Sequence, residues 1–137
     1  MIKITFGGSS ECPKAAKDLK LNTKNRDHAV EDYHYGPLNP NEPSLDYWEE
    51  IAKKWKTSVE EAKTSLCGNC VAFDISPRMK KCMPVSDEEI KGPGQFGYCW
   101  MHQFKCHSRR TCSTFAIGGP ITANEASFKW QKKNKEA

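Results

Sequence analysis

Cys67-Gly68-Asn69-Cys70 opens a segment that holds six of the chain's seven cysteines and ends at Cys112. Two thiols separated by two residues can reach one metal centre from a single turn of chain. Cys82, Cys99, Cys106 and Cys112 then offer more ligands than one site needs. Four thiolates on an iron–sulfur cluster or on a zinc ion are the first chemistry this pattern suggests. A cysteine-rich segment rarely folds on apolar burial alone, so a metal centre would serve fold and function together.

The surroundings of these cysteines fit that reading. Glycines stand at 68, 92, 94, 97, 118 and 119, and prolines at 77, 84, 93 and 120. Phe73, Tyr98, Trp100, Phe104 and Phe115 are interspersed, and they would keep water from a buried centre. This predicts loop-rich chain from Cys67 to Pro120, wrapped around something. Gly68 and Gly97, beside the proposed ligands, would let backbone N–H groups approach the sulfurs.

Upstream, Ser58-Val59-Glu60-Glu61 is a capping box and predicts a short helix running to Thr64. Before it, Leu45, Trp48, Ile51, Ala52 and Trp55 recur at helical spacing. That helix should be capped by Ser44, with Asp46, Glu49 and Glu50 near its positive end. Trp48 and Trp55 read as core packing. The polar stretch from Ser9 to Asn41 predicts an extended arm, with at most a turn of helix at Lys14–Leu19. Ile2, Ile4 and Phe6 alternate with polar residues as in a short strand. Downstream, Asn124 to Ala137 carries Trp130 and the basic run Lys129, Lys132, Lys133 and Lys135, read as a helix or a mobile tail.

The chain has 137 residues, enough for one domain, and 37% of them are hydrophobic. That is a thin core for this length, so a cross-linking element is expected. The net charge of +4 is too mild to point to nucleic acid, and the basic tail lacks an aromatic stacking platform. Neither a signal peptide nor a membrane span is visible, so the expectation is a soluble protein of a cell's interior, or of an assembly made there. Disulfides are disfavoured in that setting, and an odd number of cysteines would leave one over. Cys12 is isolated and is expected to be a bystander, whose replacement by Ser affects neither centre nor fold, unless folding brings it to Cys82 or Cys106. No Ser-His-Asp pattern, phosphate-binding glycine loop or paired catalytic carboxylate is present, so an electron carrier is expected rather than an enzyme.

Three chemistries compete for the cysteines. The spacing Cys67-x2-Cys70-x28-Cys99-x12-Cys112 supplies one thiolate for each iron of a [4Fe–4S] cluster. Zinc could instead take Cys67, Cys70, Cys99 and His102, with Cys106 and His107 nearby. A dithiol redox pair at Cys67 and Cys70 would need a strand before it and a helix after it, and a helix precedes it here. Covalent haem would need His at position 71, which is Val. Lys105, Arg109 and Arg110 could offset the negative charge of a thiolate-bound cluster or form a solvated loop.

Gly97-Tyr98-Cys99 and Arg110-Thr111-Cys112-Ser113-Thr114-Phe115 resemble the high-potential iron–sulfur proteins. In that family an early C-x2-C pair precedes two cysteines about a dozen residues apart, with an aromatic three residues beyond the last. The chain is also similar, over roughly Trp48 to Pro120, to proteins of tailed bacteriophages, marine ones especially, with this cysteine pattern. The resemblance implies a [4Fe–4S] cluster on Cys67, Cys70, Cys99 and Cys112, cycling between its +2 and +3 states as a one-electron carrier for an unidentified redox partner protein. It also implies a place in the host cytoplasm or the virion. The gap between Cys70 and Cys99 is longer than the family's, and an alternative quartet uses Cys82 with Cys67, Cys70 and Cys99. Cys106 and His102 are the other alternates. A structural zinc or cluster module without a redox role is the competing function.

The expected fold is therefore a small α+β, irregular, loop-rich metal-cluster domain with short helices and short strands. An arm spans 1–43, two short helices span 44–66, the cysteine domain spans 67–120 and a basic tail spans 121–137.

Overall fold

A computed structural model describes residues 12–39, 42–85, 89 and 92–136; the strand expected at Ile2–Phe6 lies outside them. The protein is a small α+β fold. Among the described residues, six helices, α1 (Lys14–Lys17), α2 (Leu19–Tyr33), α3 (Leu45–Trp55), α4 (Val59–Ala62), α5 (Pro77–Cys82) and α6 (Asn124–Glu136), accompany a three-stranded antiparallel sheet. Its strands are β1 (Phe73–Asp74), β2 (Phe96–Cys99) and β3 (Phe104–His107), in that order. No helix among the described residues is long and apolar enough to cross a membrane.

The expected extended arm is instead mostly helical. α2 runs for 15 residues, started by Asp18, whose carboxylate accepts from the Leu21 N–H at 3.1 Å, and ended by His34 in the left-handed conformation. Few of its positions are apolar, so periodicity could not reveal it. Tertiary contacts hold it in place: Ala29 is fully buried, Asn22 accepts from the Lys105 N–H at 2.6 Å, and Asn25 donates to the Gln103 carbonyl at 2.6 Å. These two amides fasten α2 beside β3. The turn expected at Lys14–Leu19 is α1.

α3 falls where the periodicity places it, and Trp48, Ile51 and Ala52 form a second small core with Ala62. Ser44, however, is no side-chain cap: it sits at φ 47°, and its hydroxyl makes no capping bond. Ser58 does cap, accepting from the Glu61 N–H at 3.1 Å, although α4 stops at Ala62 rather than Thr64. The C-terminal segment is α6, packed against α5.

A buried polar network joins α6 to the sheet. Asp74, fully buried, accepts from the Ser76 N–H at 2.8 Å, from the Trp100 indole at 2.9 Å and from the Ser127 hydroxyl. Arg78 donates to Ser127 at 2.8 Å and to Gln131 at 2.6 Å, and lies 4.1 Å over the Phe128 ring. Replacing Asp74 with Ala would strand the Ser76 N–H, the Trp100 indole and the Ser127 hydroxyl. A urea melt of Asp74→Ala should therefore show a loss of about 3 kcal/mol or more.

Cys12 and Cys82 form a disulfide across a separation of 70 residues. This corrects two expectations: Cys12 is not a bystander, and Cys82 is not a spare ligand. The disulfide ties the chain just before α1 to the last residue of α5. It is the cross-link that the thin core called for.

Candidate metal centre

The remaining five cysteines, Cys67, Cys70, Cys99, Cys106 and Cys112, are all unpaired and buried, none more than 8% exposed. All five line one pocket, whose wall is completed by Phe73, Met101, Thr111 and Phe115. The fold brings together the four cysteines of the expected quartet, one alternate and the expected aromatic.

Each is placed by local structure. Cys67–Asn69 is a single 3₁₀ turn, pinned where the Cys67 N–H donates to the Arg110 carbonyl at 2.6 Å and the Gly68 N–H to the Ser108 carbonyl at 3.0 Å. These bonds set the C-x2-C turn against the segment leading to Cys112. Cys70 pairs with Ile117 in an isolated bridge, and Gly119 passes so close that a Cβ there would overlap the Cys70 carbonyl. Cys99 ends β2 between Phe73 and Phe104 on the flanking strands. Cys106 on β3 pairs with Gly97 on β2, on the same side of the sheet as Cys99. A Cβ at Gly97 would come within 2.6 Å of the Phe73 ring, so this glycine serves packing at the pocket wall.

The sulfurs differ in their surroundings. Cys70 accepts from the backbone N–H groups of Ala72 and Ala116, Cys99 from those of Met101 and His102, and Cys112 from that of Thr114. The His102 N–H lies 3.4 Å from the Cys99 sulfur, and the Thr114 hydroxyl 3.1 Å from that of Cys112. Cys106 has no such backbone donor; its thiol is within hydrogen-bond reach of the sulfurs of both Cys67 and Cys99. Burial pushes the Cys70 thiol up, Cys112 up to about 12, and Cys106 well above its ordinary value. Cys99 is lowered, first by the Cys106 hydrogen bond and then by its two backbone donors, against the opposing effect of burial.

Other candidate groups point elsewhere. The His102 ring stacks on Tyr33 at 4.3 Å and shares a 2.7 Å hydrogen bond with Thr114. Lys105 pairs with Glu89 at 2.7 Å, and Arg110 donates to the carbonyls of Pro37 and Leu38, so neither is directed at the thiols. Tyr98 and Trp100 pack against each other, and Tyr98 lies on the sheet face opposite Cys99. Trp55 closes the far side of Phe115, with ring centroids 6.2 Å apart.

Tyr35 and Thr111 gave no functional signal in the sequence. Tyr35, buried, accepts from the His107 N–H at 2.9 Å and packs edge-on against Phe104. The Thr111 hydroxyl is fully buried with no hydrogen-bond partner among the described residues. Leaving such a group unsatisfied costs roughly 1–3 kcal/mol.

Among the described residues, no group of three or more His, Cys, Asp or Glu side chains is placed to hold a metal ion. No family model, curated protein or solved structure matches this chain.

Proposed function

We propose that the protein binds one [4Fe–4S] cluster through Cys67, Cys70, Cys99 and Cys112 and carries single electrons to a partner protein. The observation that carries this reading is a pocket lined by five unpaired, buried thiols, three of which accept backbone N–H bonds. Such donors stabilise thiolate ligands and tune a cluster's potential. When bound, the cluster would supply a one-electron couple, read from the resemblance as +2/+3. The protein would supply four thiolates, their hydrogen bonds, and the apolar walls of Phe73, Met101 and Phe115 that keep water out.

The thiol contacts favour Cys106 as a neighbour over Cys106 as a ligand. It lies within hydrogen-bond reach of two proposed ligand thiols, and burial holds it protonated. Zinc is less well supported. Its four ligands must all lie within about 2.3 Å of one point, whereas a cubane takes one thiolate at each of four irons. His102 of the zinc set is engaged with Thr114. Reversible voltammetry separates a carrier from a structural cluster. The carrier reading expects a stable one-electron wave; loss of colour in both directions would leave a structural role.

The thiol environment also gives a pH prediction. Without a cluster, Cys112 stays protonated up to about 12, against an ordinary 9.0. A folded-state value raised in this way contributes stability that is present below about 9 and lost as pH climbs toward 12. Loading has the opposite sign, because the thiol must give up its proton to become a ligand. Iron and sulfide uptake by the cluster-free protein should release protons and improve with rising pH. A stopped-flow trace with a pH indicator measures this directly.

A further inference from the structure

We propose that Cys106 is a resolving thiol: under hydrogen peroxide it closes a second disulfide with Cys67, tying the C-x2-C turn to β3. This chemistry needs only the free thiols and holds with or without a cluster.

Cys106 is the free cysteine to which the cluster reading gives no role. Its thiol lies within hydrogen-bond reach of the Cys67 sulfur. The main chain sets the two residues side by side. The Cys67 N–H donates to the Arg110 carbonyl at 2.6 Å and the Gly68 N–H to the Ser108 carbonyl at 3.0 Å, so the turn that carries Cys67 lies against the end of the strand that carries Cys106. Tyr35, whose hydroxyl accepts from the His107 N–H at 2.9 Å, lies close to both cysteines.

Cys99 is also within reach of Cys106 but is the poorer partner. Cys106 pairs with Gly97 and Cys99 with Phe104, so the two cysteines are diagonal neighbours on paired strands. Such positions lie roughly 7–8 Å apart, outside the Cα span of about 4.4–6.8 Å that a disulfide accepts, and the ladder holds them there. Cys67 sits outside the sheet, on a three-residue turn that is free of this constraint.

Cys67 is 8% exposed and Cys106 1%, so a small uncharged oxidant meets Cys67 first. Peroxide transfers an oxygen to the Cys67 sulfur: an S–O bond forms, the O–O bond breaks and one water leaves. The Cys106 sulfur then attacks the sulfenic acid. The S–S bond forms, the S–O bond breaks, and the hydroxyl leaves with the Cys106 proton as a second water. Two thiols are oxidised and one peroxide is reduced. The neighbouring placement of Cys106 gives the second step a high effective concentration. On the cluster reading, the same bond takes Cys67 out of the ligand set, so the oxidised protein takes up no iron.

The test treats full-length wild type and Cys106→Ala, as purified, with hydrogen peroxide and a chelator under native conditions. Free thiols are then alkylated in denaturant and counted by mass spectrometry. Disulfides are mapped on unreduced peptides, with fragmentation to tell Cys67 from Cys70. Wild type should lose two of its five free thiols, leaving three, with Cys67 joined to Cys106 and the Cys12–Cys82 bond unchanged. Cys106→Ala should form no new disulfide. Wild type that keeps five thiols, gains oxygen without a disulfide, or joins any other pair overturns the proposal. So does a new disulfide that Cys106→Ala forms as readily. Wild type that closes the Cys67–Cys106 bond, yet takes up no iron before peroxide, supports this proposal and contradicts the cluster reading alone.

Discussion

Cys99→Ser should yield a protein that holds no cluster and melts far below wild type. Cys99 ends β2 between Phe73 and Phe104, its sulfur accepts two backbone N–H bonds and the Cys106 hydrogen bond, and its thiol is held below its ordinary value. Such a sulfur is prepared to bind metal as a thiolate. Serine offers a hard, poorly acidic oxygen in its place. Because the binding energy of a resident centre is also folding energy, the loss should reach about 4 kcal/mol or more, the range associated with losing a metal. Cys106→Ala gives the contrast. It should keep the full iron content and cost about 1 kcal/mol, close to the value of one buried methylene-sized group. Iron analysis and thermal melts of the two variants check both statements. If Cys106→Ala bleaches the protein while Cys112→Ser does not, Cys106 is a ligand and Cys112 is not.

Cys12→Ser should cost about 4 kcal/mol without removing iron. The disulfide to Cys82 closes a loop of some 70 residues, and the chain-entropy model assigns about 4 kcal/mol to a loop of that length. The cost is large here because the apolar core is small, with 37% hydrophobic residues over the whole chain. Cys82→Ser should cost the same, and the double variant should cost no more than either single one, since all three break one bond. Urea melts of the three variants test this. Additive losses would mean that the two cysteines stabilise the fold separately. Iron content should stay at the wild-type level throughout, because neither Cys12 nor Cys82 lines the pocket of the five free thiols.

Legibility of this chain depended on how local each signal was. α3 could be read because Trp48, Ile51 and Ala52 present one apolar stripe, and α4 because Ser58 and Glu61 form a local capping motif. The convergence of Cys67, Cys70, Cys99 and Cys112 on one pocket, with Phe115 beside them, was legible from spacing and composition. α2 was not, because Asn22 and Asn25 hold it through hydrogen bonds to residues about 80 positions away, and such contacts leave no periodicity. Ser44 misled because its sequence context fits a cap while its backbone turns into the left-handed region. The pairing of Cys12 with Cys82 and the orphaned hydroxyl of Thr111 exist only once distant segments meet.

The measurement that bears most directly on the central claim is an anaerobic purification followed by a visible spectrum, with iron, sulfide and zinc assayed on the same sample. The account predicts a brown protein with about four iron and four sulfide per chain and no stoichiometric zinc. A colourless protein that carries zinc, or one that holds no metal after reconstitution with iron and sulfide, would contradict it.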